Sequence, residues 1–130
     1  MDSDRILILE SPIARADLER LVLAHFEDMV KFVVDLERRT LAIGGEMHAE
    51  AEQRLLENGS SQRNLWGANY YPGRGPDACL EYTSLINISP RRGNRTMEVR
   101  DPLLREQIRE ITFALIGRGE EEGWPRSTQT

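Results

Sequence analysis

The sequence predicts a single two-layer α+β domain: a largely antiparallel sheet with helices on one face, in the order β-α-β-β-α-β-β-α. Three observations predict it. Apolar residues alternate with a period of two from Met29 and over 78–89, which is the spacing of strands, and 65–71 also reads as a strand. Elsewhere they recur at helical spacing, in stretches opened or closed by capping residues. The strand-like stretches also arrive as neighbours joined by short turns, and hairpins make antiparallel pairs. The first six elements match the order of a ferredoxin-like split βαβ unit.

Arg5-Ile-Leu-Ile-Leu-Glu10 is an apolar run bounded by charges and predicts a buried strand. Ser11-Pro12 then marks a helix start, with serine as N-cap and proline at the first helical position, where its missing N–H costs nothing. Ile13, Leu18, Leu21 and Val22 carry that helix to Ala24 or His25. From Met29 the period becomes two, with Val30, Phe32, Val34 and Leu36 on one side of a strand and Lys31, Asp35 and Glu37 on the other. Arg38-Arg39 turns the chain, Thr40–Ile43 returns it, and Gly44-Gly45 ends that arm. A second helix starts near Glu46, with Met47, Ala51 and Leu55 on one stripe, and closes at Asn58-Gly59. Leu65–Tyr71 and 78–89 predict a further pair of strands, with Leu80, Tyr82, Ile86 and Ile88 on one face and Glu81, Thr83 and Asn87 on the exposed one. Asp101-Pro102 repeats the cap-and-proline device and opens a last helix to Gly117. The domain is therefore expected over 1–117, with 118–130 as an acidic, disordered tail.

Composition narrows the function classes. With 39% hydrophobic residues in 130, the chain can bury a core without disulfide staples. Its one cysteine, Cys79, can form no internal disulfide and excludes multi-thiolate metal centres. Set between Ala78 and Leu80, it reads as a packed residue, because a reactive thiol needs an electropositive setting. No apolar run approaches the ~20 residues that cross a bilayer. The acidic start Met1-Asp-Ser-Asp-Arg5 is unlike a secretory signal, so the predicted location is the cytoplasm. A net charge of −5 argues against nucleic-acid binding. That charge is uneven, however, with a net of −6 over residues 1–60 and +3 over 61–119. All but one of the 17 basic residues are arginine, so any anion site here is built from guanidinium forks.

Two constellations stand out. In Ile43-Gly-Gly-Glu-Met-His-Ala-Glu-Ala-Glu52, a glycine pair at a strand-to-helix junction exposes the first N–H groups of a helix, a natural anion site. The carboxylates that follow repel an anion; they fit a cation or the helix dipole better. His48 and Glu52, four apart, share a helix face, and His48 with Glu46 or Glu52 is the candidate acid–base pair. Capping and a surface histidine explain the same residues. No metal ligand set is assigned and no cofactor is implied. The second constellation is an asparagine and arginine set, with Asn69 beside Trp66 in a strand that disfavours asparagine, and Asn94 and Arg95 in the basic loop 91–95. Asn69 with its aromatic neighbours suits a mostly apolar pocket, and the loop suits carboxylate or phosphate recognition. Core packing and a solvated loop are the competing explanations.

Ala42-Ile-Gly-Gly-Glu-Met-His48, Leu65-Trp-Gly-Ala-Asn69-Tyr-Tyr-Pro72 and Gly93-Asn-Arg95 together resemble a family of small prokaryotic proteins of unknown function, over roughly residues 4–117. The resemblance implies no activity. It groups Glu46, His48, Trp66, Asn69, Asn94 and Arg95 as a set. The leading expectation is a domain that binds a small ligand or a partner protein, as a homodimer that covers a sheet edge or face. The alternative is a hydrolase-like enzyme using His48 with Glu46 or Glu52, and Asn94 or Arg95 as the electrophilic group. Nucleic-acid binding comes third.

Overall fold

The computed structural model describes residues 5–124. Eight regular elements follow the predicted order: β1 (Leu7–Leu9), α1 (Arg15–His25), β2 (Val30–Asp35), β3 (Thr40–Ile43), α2 (His48–Glu57), β4 (Leu65–Tyr70), β5 (Leu80–Glu81) and α3 (Pro102–Leu115). Single 3-10 turns lie at Gln62–Asn64, Leu85–Asn87 and Pro90–Arg92. The five strands form one sheet in the order β1-β3-β2-β4-β5, and every neighbouring pair is antiparallel. No helix among the described residues is long and apolar enough to cross a membrane.

The helices lie on two faces of this sheet, which corrects the expected two-layer arrangement. Phe32, Val34, Leu41, Ile43 and Tyr70 pack with Leu18 and Leu21 of α1 and Ile108 and Ile111 of α3. Val33, Ala42 and Leu65, on the other face, pack with Ala51 and Leu55 of α2. The reason is topological. β1 and β2 flank β3 and run parallel, as in a split βαβ unit, but β4 adds beside β2 rather than beside β1. The step from β3 to β4 thus crosses the sheet in the same direction as the step from β1 to β2, along strands of opposite sense. Connections of one handedness then place α1 and α2 on opposite faces. This also departs from the ferredoxin-like pairing. The run Phe32-Val-Val34 is apolar without interruption because the strand is covered on both sides.

Three boundaries differ from expectation, each because tertiary bonding wins over local signal. α1 begins at Arg15 rather than at Ser11-Pro12, with Ala14 extended. The Ile13 N–H donates to the Leu115 carbonyl at 2.9 Å, satisfying an open carbonyl at the end of α3 instead of starting a helix. The strand expected over 78–89 is regular only at Leu80–Glu81. Beyond it the Val99 N–H donates to Tyr82 O and the Ser84 N–H to Met97 O, so this stretch pairs with 97–99. Arg118–Trp124, expected in the disordered tail, lies against the domain: the Gly119 N–H donates to the Tyr70 hydroxyl at 2.7 Å and the Gly73 N–H to Glu121 Oε1 at 2.9 Å. Residues 125–130 of that tail lie outside the described residues.

Candidate functional site

Gly44 and Gly45 take φ values of +115° and +93°, which glycine enters without strain, and turn β3 directly into α2. The Glu50 side chain reaches back over this turn. Its Oε1 accepts from the backbone N–H groups of Glu46 (2.8 Å) and Met47 (3.1 Å), satisfying open donors at the helix start. With the first turn so fixed, His48 is the first residue of α2 and is buried against the sheet, 7% exposed. Space for its ring comes from Gly67 of β4. A Cβ at position 67 would lie 3.1 Å from His48 Cδ2 and 2.7 Å from Ser84 Cβ.

His48 Nε2 lies 2.9 Å from the Ala68 carbonyl oxygen. A carbonyl only accepts, so Nε2 carries the proton and the lone pair of the neutral ring is on Nδ1. Burial holds the His48 pKa below its ordinary value and Lys31 adds to this; the Ala68 carbonyl opposes it, and so does the Asn69 side chain beside the ring. Asn69 stands across from Lys31 on β2 and from Glu81 on β5. Its amide nitrogen donates to Glu81 Oε1 at 2.8 Å, an oxygen that also accepts from the Tyr71 hydroxyl at 2.9 Å. The Asn69 amide oxygen is buried and completes no hydrogen bond.

Above His48 a cleft of about 260 Å³ opens between α2 and the segment 83–97. Lys31, His48, Thr83 and Ser84 are its polar lining residues, and Met47, Leu85 and Met97 stand exposed on it as an apolar rim. Large apolar side chains gathered round a few polar groups are the usual make-up of a ligand site.

The other residues singled out by sequence do not join this cleft. The Glu46 side chain is exposed, and Glu52 accepts from Gln62 Nε2 at 3.2 Å. His48 is therefore hydrogen-bonded to a carbonyl and to neither glutamate, so the His–carboxylate couple of the hydrolase-like alternative is not formed. Trp66, 3% exposed, faces the opposite side of β4 from Asn69, with the Arg92 guanidinium 3.7 Å from its ring centroid. Asn94 is buried and spent internally. Its amide nitrogen donates to the carbonyls of Asn87 (3.0 Å), Thr96 (2.9 Å) and Glu98 (2.9 Å), and its oxygen accepts from the Arg100 N–H at 3.1 Å. Arg95 is exposed and bonds to nothing among the described residues. Met97, two residues beyond the basic loop, lines the cleft beside α2, and Arg95 does not.

Asn87, expected to be exposed, is fully buried. Its side-chain amide pairs with the outer edge of β4 as a missing strand would, accepting from the Gly67 N–H at 2.8 Å and donating to Gly67 O at 3.0 Å. Lys31, Met47, Ser84, Leu85 and Met97 are the site residues that sequence reasoning missed. Among the described residues no three His, Cys, Asp or Glu side chains converge.

The family model for proteins of unknown function designated DUF5674 matches residues 7–115. No curated protein and no solved structure matches the chain.

Proposed function

The chain belongs to the DUF5674 family of proteins of unknown function, and from the cleft over His48 we propose that it is a small-ligand-binding domain. One observation carries this reading: a buried histidine on the cleft, with one ring nitrogen fixed on a main-chain carbonyl, so that the lone pair of the neutral ring is on the other, with the Asn69 side chain close to the ring. A neutral Nδ1 accepts, so the ligand presents an N–H or O–H donor to it, and an apolar body to Met47, Leu85 and Met97. We place the domain in the cytoplasm of a prokaryote, in line with the family resemblance. The homodimer belongs to the same proposal: β1 is an edge strand, and two copies pairing along it form a symmetric assembly. Light scattering on the eluting protein reads out that mass.

Titration with phenol and indole, each an apolar ring bearing one donor, tests the ligand site. The expected result is saturable change in the ¹H–¹⁵N NMR spectrum confined to Lys31, 47–49 and 83–86, with movement of the His48 imidazole signals. Leu85→Arg, a change at a residue 66% exposed, should block the cleft and abolish those changes while the melting temperature stays put. Shifts scattered over the surface, or unchanged binding in the Leu85 variant, would sink the proposal.

A further inference from the structure

A second cleft, of about 410 Å³, lies beyond Ile86, which lines both. Its walls are Gln62, Arg63, Ile86, Ile88, Arg91 and Arg92, together with Ser89. Among the described residues, the arginines here form no ion pair within 4 Å of a carboxylate, unlike six others in the chain. Arg15, Arg20, Arg39, Arg74, Arg109 and Arg118 each pair with a carboxylate. Arg63 and Arg91, both exposed, extend guanidinium groups that bond to nothing among the described residues.

Arg92 is held rigidly between them. Its Nη1 donates to the carbonyls of Leu65 (2.9 Å) and Arg63 (3.2 Å), and its plane lies over the Trp66 ring. Those bonds occupy Nη1 and leave Nε, along with part of Nη2, for another acceptor. The carboxylate that acts on Arg92 is Glu52, itself tied to Gln62. Three guanidinium groups against one carboxylate leave an uncompensated positive charge in a recess. A fixed fork between two exposed ones suits a dianion that takes several charge-assisted hydrogen bonds at once. The recess is larger than a bare oxyanion fills and falls in the range of small-molecule sites, and Ile88 gives it an apolar wall, 45% exposed.

We propose that the Arg63–Arg91–Arg92 cleft binds a small organic phosphomonoester, its phosphoryl group among the guanidinium groups and its organic part on Ile86 and Ile88. This stands whether or not the His48 cleft is occupied.

Phenyl phosphate, inorganic phosphate and a single-stranded DNA oligomer are the probes, titrated into the full chain by calorimetry at fixed ionic strength. The expected result is one phenyl phosphate per chain, at least tenfold tighter than inorganic phosphate. The double variant Arg63→Ala/Arg91→Ala, altered only at exposed side chains, should keep its melting temperature and its response to indole at the His48 cleft, yet lose at least tenfold in phenyl phosphate affinity. Phenyl phosphate binding that ignores the double variant overturns the proposal. So does phenyl phosphate binding no tighter than inorganic phosphate. Tight, steeply salt-dependent binding of the oligomer alone also overturns it, in favour of a polynucleotide backbone site.

Discussion

Gly67 on β4 and His48 on α2 touch so closely that a single Cβ on the strand would sit 3.1 Å from the imidazole and 2.7 Å from Ser84 Cβ. The strand residue is glycine because ring and serine together fill the space its side chain would take. Gly67→Ala should overpack this point and cost about 1–3 kcal/mol of stability, read from denaturant unfolding. Because the groups that must give way are Ser84 first and His48 with it, both lining the cleft, phenol and indole binding should weaken as well. An alanine variant of unchanged stability and binding would show that helix and strand separate freely.

Asn94 is the pin of the 89–100 loop and carries no free polar atom to offer a ligand. Asn94→Ala removes its bonds to three carbonyls and one N–H, leaving buried groups unpartnered. The expected loss is about 2–4 kcal/mol in an unfolding titration. Arg95→Ala next to it should change stability by less than about 0.5 kcal/mol. Equal effects from the two variants would contradict the division of roles drawn from the hydrogen bonds.

The sequence carries the apolar runs of β2 and β4, the glycine pair before α2 and the Asp101 cap, since each is a local signal; the cap is realised as a 2.9 Å bond from the Leu103 N–H. It also shows His48 and Asn69 as residues out of place. What joins them is not local. Gly67 and Asn69 are two apart and so share a face, but which helix meets that face depends on β4 lying beside β2. A strand order of this kind leaves no periodic trace. The polar residues misjudged as ligand contacts, Asn94 above all, satisfy main-chain groups in a loop that has no regular partners. An asparagine serving that purpose looks the same in sequence as one serving a ligand.

His48 should make stability depend on pH in a particular direction. Its native pKa is lowered from the ordinary 6.5, so above about pH 6.5 it is neutral in both states and contributes nothing. Below that the unfolded chain takes the proton first, and stability falls until native His48 is protonated too. One such group gives a slope of at most about 1.4 kcal/mol per pH unit. Unfolding free energies of the wild type and His48→Gln, measured from about pH 4 to 7, should differ by this extra fall on the acid side. Parallel curves would show that His48 protonates as readily folded as unfolded.

Arg118–Trp124 covers Cys79. A Cβ on Gly119, whose φ is +74°, would lie 2.6 Å from Cys79 Cβ, so backbone packs directly on the thiol residue. The stretch is tied down at Tyr70, whose buried hydroxyl accepts from the Gly119 N–H and donates to the Glu121 carboxylate. Burial, and the Glu121 charge next, push the Cys79 thiol up to about 11, which keeps it protonated and unreactive at neutral pH. A chain ending at Gly117 loses this cover, whereas one ending at Trp124 keeps it. The shorter chain should melt at lower temperature and react with a disulfide reagent at least tenfold faster, while the longer one behaves as the full chain. Tyr70→Phe in the full chain removes the hydroxyl tether alone; it should cost about 1–3 kcal/mol by leaving the Gly119 N–H without its acceptor and Glu121 Oε2 without its donor, while Oε1 keeps the Gly73 N–H. Equal labelling rates for the two truncated chains would mean that Cys79 is shielded by the strands and α3, and that 118–124 merely lies on the surface.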